Sequence, residues 1–261
     1  ICSAIAYADI KNRSGDGRRY LAKRAGQINS ETEYVLKRFG MEAPGYLADV
    51  GTQVKDMEIR ETPGVSSSIS IKDACAIMKE RNAVTLPITK EDGQLEGLIT
   101  TGDIAKSYMD AHDNYFLSNA RTQYRSIANT VDGTVVTGNP HGYFVRGKVV
   151  IGAAHPDKLG EFLEEDDLVI LGDRHEDHLC AIRENVSCFI VCNNTEVAEN
   201  IKDAAVKNDC VIIRSPLDTF TVARLINQSI PVKHIMKKDN LITFQTDDFT
   251  DDIKDVMVKN R

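Results

Sequence analysis

Thr100 and Asp103 stand three apart in Gly97-Leu98-Ile99-Thr100-Thr101-Gly102-Asp103, where an apolar run gives way to a helical pattern. A hydroxyl and a carboxylate at such a turn can accept hydrogen bonds from ribose hydroxyls, and helix N-terminal N–H groups beside them suit a phosphate. Asp103 also fits a purely structural part, as the cap of the helix that follows. This segment alone leaves both readings open. His175 and His178 are also three apart and could face one metal ion. Their acidic neighbours on a polar turn fit a solvated helix start instead, since metal sites need more convergent ligands. The six cysteines, Cys2, Cys75, Cys180, Cys188, Cys192 and Cys210, lie in apolar contexts without a Cys-x-x-Cys pair. They read as reduced, buried thiols, with Cys188 and Cys192 on one side of a strand. No residue of the span is assigned to catalysis or to a metal.

The elements that must position these residues are legible as periodicity. Residues 3–11 read as a helix ending near Asn12-Arg13-Ser14-Gly15. Ser30-Glu31-Thr32-Glu33 reads as a capping box, with Ser30 as the cap. Tyr34, Val35, Leu36 and Phe39 then supply an apolar face, and Gly40 stops the helix. These first fifty or so residues are too few to hold a core alone. After a turn at Glu61-Thr62-Pro63-Gly64 and the extended Val65, a helix carries Ile71, Ala74, Cys75 and Met78 at helical spacing. Val84–Ile88 is expected to be a strand, Glu91-Asp92-Gly93 a hairpin turn, Leu95–Thr100 the returning strand, and a helix starts at about Asp103. Beyond Tyr124 the apolar strands Leu168–Leu171, Cys188–Cys192 and Cys210–Ile213 are each followed by a helical pattern, at 177–184, 196–207 and 219–228. Residues 148–152 add an earlier strand. The alternation implies a parallel sheet covered on both faces.

The chain also repeats itself. Val54-Lys55-Asp56-Met57 opens one copy and Val232-Lys233-His234-Ile235-Met236 another; Met78 follows the first opening by 24 positions and Met257 the second by 25. A unit that cannot bury its own apolar face pairs with its copy. The second copy reaches Arg261 before its later strands, so the chain is expected to be a fragment. Length suits about two domains. The composition, 42% hydrophobic and 27% charged, is that of a globular protein. A net charge of -7 argues against a broad nucleic-acid surface. No apolar run approaches the ~20 residues of a membrane span. The apolar N-terminus, interrupted by Asp9 and Lys11, lacks the basic region of a signal peptide, so a cytoplasmic location is expected.

Val54–Ile104 resembles a CBS module, a paired nucleotide-sensing unit. The resemblance rests on Val54-Lys55-Asp56-Met57, Ile71-Lys72-Asp73-Ala74, Leu86-Pro87-Ile88, Glu91-Asp92-Gly93, Gly97-Leu98-Ile99-Thr100 and Asp103. It implies an adenine nucleotide in the cleft between two modules, with Val65, Val84, Thr85, Leu86 and Pro87 lining the adenine pocket and Thr100 and Asp103 on ribose and phosphate. In the second copy it carries over only Ile242 and Thr243, in a first strand Ile242-Thr243-Phe244; the Thr-x-x-Asp is absent there. Gly172-Asp173-Arg174 and Pro216–Leu225 are similar to a DRTGG domain, although His175-Glu176-Asp177 replaces Thr-Gly-Gly, and the Asp173–Asp177 loop is given no ligand. Ile1–Ala8 and Gly26–Tyr34 resemble the start of family II inorganic pyrophosphatases of the DHH phosphoesterase superfamily.

Together these resemblances imply a mixed α/β and α+β architecture: a partial DHH-type catalytic domain at 1–50, a first CBS module at 51–115, a DRTGG domain at 123–228, and the N-terminal half of a second CBS module at 229–261. They imply a parent enzyme that hydrolyses pyrophosphate to two phosphates using Mn2+ or Co2+, with Mg2+ accompanying the substrate and with the metal ligands outside this span. AMP and ADP would inhibit, ATP or diadenosine polyphosphates would activate, and the parent would be a homodimer with the DRTGG domain as spacer. The span by itself is expected to be inactive. Two alternatives differ in class: a CBS/DRTGG sensor of a protein that is not a pyrophosphatase, and another DHH phosphoesterase.

Overall fold

The first fifty residues form two helices whose apolar side chains find little to bury against. The computed structural model describes residues 1–15, 17–47, 50–109 and 113–260. Residues 110–112 of the expected first CBS module and Arg261 of the expected second lie outside them. The chain divides into two compact units, Ile1–Arg60 with Ile242–Arg261, and Glu61–Leu241.

In the first unit, α1 spans Cys2–Arg13 and α2 spans Ser30–Arg38. Two-residue strands β1 (Lys23–Arg24) and β2 (Gly45–Tyr46) flank α2 and pair in parallel. The cap of α2 is Asn29, whose side chain accepts from the Thr32 N–H at 2.9 Å, and not the expected Ser30. Asn is as good a cap as Ser, and its earlier position takes the first turn. Gly40 ends the helix at φ 61°, as its lack of a Cβ permits. Of the expected apolar face only Leu36 is buried; Tyr34 and Phe39 are exposed.

The second unit holds the hairpin module and the parallel sheet. Ser70 caps α3 (Ile71–Glu80), accepting from the Asp73 N–H and donating to the Asp73 carboxylate. Strands β3 (Thr85–Thr89) and β4 (Leu95–Thr100) form the antiparallel hairpin, followed by α4 (Thr101–Met109). Asp92 accepts from the Gln94 N–H and Gly93 takes φ 82° in the connecting turn. Ile71, Ala74 and Met78 of α3 meet Leu86, Ile88, Ile99 and Ile104 in a core that also takes in Val232 and Met236.

Next come α5 (Phe116–Asn119), β5 (Thr122–Gln123), α6 (Tyr124–Thr130), β6 (Thr134–Thr137), β7 (Tyr143–Phe144), β8 (Val149–Ile151), α7 (Pro156–Leu159), β9 (Leu168–Leu171), α8 (His175–Arg183), β10 (Cys188–Val191), α9 (Glu199–Lys207), β11 (Val211–Arg214) and α10 (Thr219–Leu225). The five-stranded sheet runs β6-β11-β10-β9-β8, and β8 to β11 are mutually parallel. The sheet is not wholly parallel, because β6 joins β11 antiparallel at one edge. That strand, Thr-Val-Val-Thr, is short and half polar, which suits an edge. Every residue of β9 and β10 is buried, as a strand covered on both faces requires. Alternate residues divide between two cores. Leu168, Ile170, Cys188 and Ile190 pack with α6 and α10; Val169, Leu171, Phe189 and Val191 pack with α7, α8 and α9. The helix expected at 219–228 is α10 followed by a 3-10 turn, Ile226–Ser229.

The chain returns to the first unit with α11 (Thr250–Lys259). Residues Ile242-Thr243-Phe244 do not form the expected strand; all three are exposed and carry no ladder assignment. An extended segment without a paired neighbour has nowhere to place its backbone hydrogen bonds in a sheet.

Candidate nucleotide site

Thr100 and Asp103 hold one another. The Thr100 Oγ1 donates to Asp103 Oδ2 at 2.7 Å, the Thr100 N–H donates to the same oxygen at 2.9 Å, and the Asp103 N–H donates back to Thr100 Oγ1 at 3.1 Å. This is a capping box. Thr100 is therefore the cap of α4 and Asp103 its third residue, so the helix begins three residues earlier than it would with Asp103 as the cap. Both bonds fall on Oδ2; Oδ1 accepts none from the described residues. The carboxylate is thus oriented by its neighbour at a helix N-terminus with one oxygen to spare, half-buried.

Val65 lies alongside β3 on the side away from β4. Its N–H donates to the Pro87 carbonyl at 3.0 Å and its carbonyl accepts from the Thr89 N–H at 2.9 Å. The approach depends on Gly64, where a Cβ would fall 2.3 Å from Thr89 Cγ2. Along β3 the side chains alternate as strand geometry demands. Leu86 is fully buried among Ile88 and Ile99, while Thr85 and Pro87 are half-buried on the opposite face. Leu86 can therefore offer a ligand only its backbone. Val84 is 71% exposed, and its carbonyl accepts from the Thr101 N–H at 3.1 Å, which joins the start of β3 to the start of α4. Val84 and Thr101 border an open cleft of about 350 Å³ with Cys75, Met78 and Ile104. A larger cleft, about 470 Å³, opens at the N-terminal ends of the parallel strands and includes Asp166, Asn185 and Asp209. Asn185 and Asp209 are left-handed residues that end α8 and α9, so that hollow follows from the helix-to-strand turns.

Seven expected site residues fall in Glu61–Leu241, whereas Ile242 and Thr243 belong to the other unit and are exposed. A shared backbone clasp sets the register between the copies. In the second unit the N–H groups of Val232, Lys233 and Ile71 donate to the carbonyls of Ile69, Ser67 and Ile230, and Ser70 bridges Pro231. In the first unit those of Val54, Lys55 and Thr250 donate to Asp248, Thr246 and Thr52, and Gln53 bridges Phe249. Each copy's opening thus clasps the segment before the other copy's helix. Ser67, Ile69, Ser70 and Ile71 match Thr246, Asp248, Phe249 and Thr250 at a constant offset of 179. Carried back two residues, this register makes Phe244 the counterpart of Val65, and Ile242 and Thr243 the counterparts of Pro63 and Gly64. Sequence reading missed Phe244 because the openings differ by one residue in spacing, a slip only the hydrogen bonds reveal.

The start of α8 is exposed from Asp173 to Glu176, His175 included, as expected of a solvated helix start, but the next two residues are not. His178 and Asp177 are 2% and 1% exposed. His178 Nε2 lies 3.0 Å from the Gly172 carbonyl, and its ring stacks on Phe189 with centroids 5.6 Å apart. Arg174 Nε pairs with Asp177 Oδ2 at 2.9 Å. Helical periodicity explains the difference: residues 177 and 178 share the face of α8 that carries Ala181 and Ile182 inward. Burial pushes the His178 imidazole below its ordinary range and the Asp177 carboxyl above its own. Among the described residues no three His, Cys, Asp or Glu side chains come together as metal ligands. Cys188 and Cys192 do share one core, and burial pushes the Cys210 thiol up to about 12; Cys2, however, is exposed and Cys75 only half-buried.

The DRTGG domain family matches residues 126–229 and the CBS domain family residues 54–110. The cobalt-dependent inorganic pyrophosphatase of Clostridium perfringens is 36% identical over all 261 residues, and the probable manganese-dependent inorganic pyrophosphatase of Thermotoga maritima 26%. The crystal structure of the CBS and DRTGG domains of the regulatory region of the C. perfringens pyrophosphatase, complexed with its activator diadenosine tetraphosphate, aligns with TM-score 0.75 and 33% identity. The alignment covers 80% of this chain and 91% of that one. The chain belongs to the same family as that CBS- and DRTGG-domain regulatory region. It spans 47% of each of those two curated pyrophosphatases. Among the described residues no helix is long and apolar enough to cross a membrane.

Proposed function

We propose that this chain is the adenine-nucleotide-sensing regulatory part of a cytoplasmic, homodimeric, metal-dependent inorganic pyrophosphatase. The observation that carries this is the match, over most of both chains, to a regulatory region held in complex with diadenosine tetraphosphate. The oriented Asp103 beside exposed Val84 supports it, since Asp103 Oδ1 can accept from ribose hydroxyls while the N-terminal N–H groups of α4 face a phosphate. Val65, Thr85 and Pro87 flank the adenine, Leu86 contributes backbone alone, and Ile242 and Thr243 with Phe244 form the corresponding edge of the second copy. The proposed boundaries are 1–50, 51–115, 123–228 and 229–261 for the DHH edge, first CBS module, DRTGG domain and second CBS module.

In this proposal the Mn2+ or Co2+ of the parent, and the Mg2+ that accompanies pyrophosphate, bind residues outside this span. The chain's own chemistry is to bind a nucleotide more tightly in one arrangement of its modules than in another, which is the only way a ligand can shift an equilibrium. The test is calorimetric titration of AMP and diadenosine tetraphosphate into the chain and its Asp103→Ala variant. A weakening of about tenfold or more, roughly 1.4 kcal/mol, is expected for the variant. Equal affinity in both, or no binding to the parent chain, would sink the proposal. AMP titrated against pyrophosphate hydrolysis by the full-length enzyme then sets the sign of regulation.

A further inference from the structure

One cation joins the hairpin module to the parallel-sheet domain through three short contacts. Lys72, the second residue of α3, directs its ammonium at the C-terminal end of α6. Its Nζ donates to the Asn129 carbonyl at 3.1 Å, to the Thr130 carbonyl at 3.0 Å and to Asp132 Oδ1 at 2.6 Å. Three N–H donors thus meet three acceptors. A helix C-terminus presents unpaired carbonyls and the negative end of the helix dipole, so the ammonium suits this place. An isolated surface ion pair contributes little, but here both ends are anchored. On the sheet side, Tyr124, Ile127 and Ala128 of α6 are buried against the sheet, and Ser215 Oγ at the end of β11 donates to the Val131 carbonyl at 2.6 Å. On the module side, Ile71, Ala74 and Met78 fix α3 in the hairpin core.

The far end of α3 leads to the candidate site. Its cap Arg81 is followed by left-handed Asn82 (φ 48°), and two residues later the chain is at Val84. A ten-residue helix therefore has the candidate adenine strand at one end and Lys72 at the other. A packed helix moves as a rigid body, so a shift of its C-terminal end must be met at its N-terminal end. There the contacts to α6 are polar and directional, and can be exchanged for water without opening a cavity.

We propose that Lys72 is the coupling residue through which the nucleotide state of the CBS module reaches the DRTGG domain. It is a positioning residue that touches no ligand. The inference rests on the nucleotide-sensing reading above, and the test separates the two. Hydrogen exchange of the amides at Val131, Asp132 and Gly133 is followed in the unaltered chain with and without saturating AMP or diadenosine tetraphosphate, alongside calorimetric binding. Binding accompanied by a change in exchange at these three amides supports the inference. Binding without it overturns the inference and leaves the sensing proposal standing; absence of binding overturns both. In the Lys72→Met variant, affinity for the first nucleotide is expected to remain within about twofold while the exchange response disappears. In full-length enzyme carrying the same change, basal hydrolysis persists and the nucleotide-dependent rate ratio collapses toward one. Retention of the full ratio by Lys72→Met overturns the coupling role. Asp132→Asn removes the single charge among the three acceptors without touching the helix carbonyls, and is expected to show a partial loss; it serves also if Lys72→Met fails to fold.

Discussion

The helices that follow the two openings carry apolar residues in matching register, yet only one of them is buried. Ile71, Ala74 and Met78 of α3 lie beneath 5% exposure, whereas their counterparts Thr250, Ile253 and Met257 leave α11 with no buried residue and Met257 at 65%. The openings themselves are equivalent, clasped by the same pattern of backbone hydrogen bonds in both units. What differs is the hairpin: β3 and β4 pack against α3, and among the described residues α11 has no such pair. Helical periodicity therefore specifies which residues could face a core, and a partner surface decides whether they do. The first copy has a core of its own, and among the described residues α11 has none.

Truncating the matched methionines tests this contrast most strongly. Met78→Ala is expected to cost about 2–5 kcal/mol, the range for emptying a filled core position. Met257→Ala should stay within about 0.5 kcal/mol, as surface changes do. Urea unfolding of the two variants measures both, and equal losses would mean that α11 is packed as tightly as α3. A smaller effect is expected where the second opening docks on the first hairpin. Leu98 and Lys237 exchange backbone hydrogen bonds, and a Cβ at Gly97 would sit 2.7 Å from the Lys237 carbonyl oxygen and 3.0 Å from Met236 Sδ. Gly97→Ala should destabilise by about 1–3 kcal/mol through this overlap, and it should raise hydrogen exchange at Leu98 and Lys237. A variant as stable as its parent would show that the docking is loose.

The smallest effect concerns the sheet domain, where a closed core confines an ionisable ring. Burial lowers the His178 affinity for protons, with His175 adding to the effect, while the Gly172 carbonyl and the acids Asp177 and Asp173 oppose it. The unfolded chain takes up a proton near the ordinary histidine range that the folded chain refuses. Stability from this group is therefore complete above about pH 6.5 and is lost as pH falls toward the lowered folded value. Asp177 has the opposite sign, because its raised carboxyl binds a proton more readily when folded. Urea midpoints between about pH 7.5 and 5.5 should fall in the unaltered chain and fall less in His178→Gln. The difference is at most about 1.4 kcal/mol per pH unit. Identical slopes would show that His178 is protonated in place.

Local pattern was sufficient for much of this molecule. The runs at 168–171 and 188–191 could only be strands covered on both faces, because nothing polar interrupts them. Thr100 and Asp103 could be paired on spacing alone, although the direction of the cap could not, since either residue can serve. Other features required chain segments distant in sequence to meet. The antiparallel edge strand β6 is ordinary Thr-Val-Val-Thr until β11 lies beside it. The burial of His178 depends on Phe189 in the next strand, and acidic neighbours in the sequence pointed the other way. The one-residue offset that makes Phe244 the counterpart of Val65 lies in hydrogen bonds between segments about 180 positions apart. The amino-acid sequence by itself determined period, caps and repeat, because these are set by neighbours within a few residues. Only the tertiary structure decided register, burial and the Lys72 contact with α6, because each depends on which distant surface excludes water.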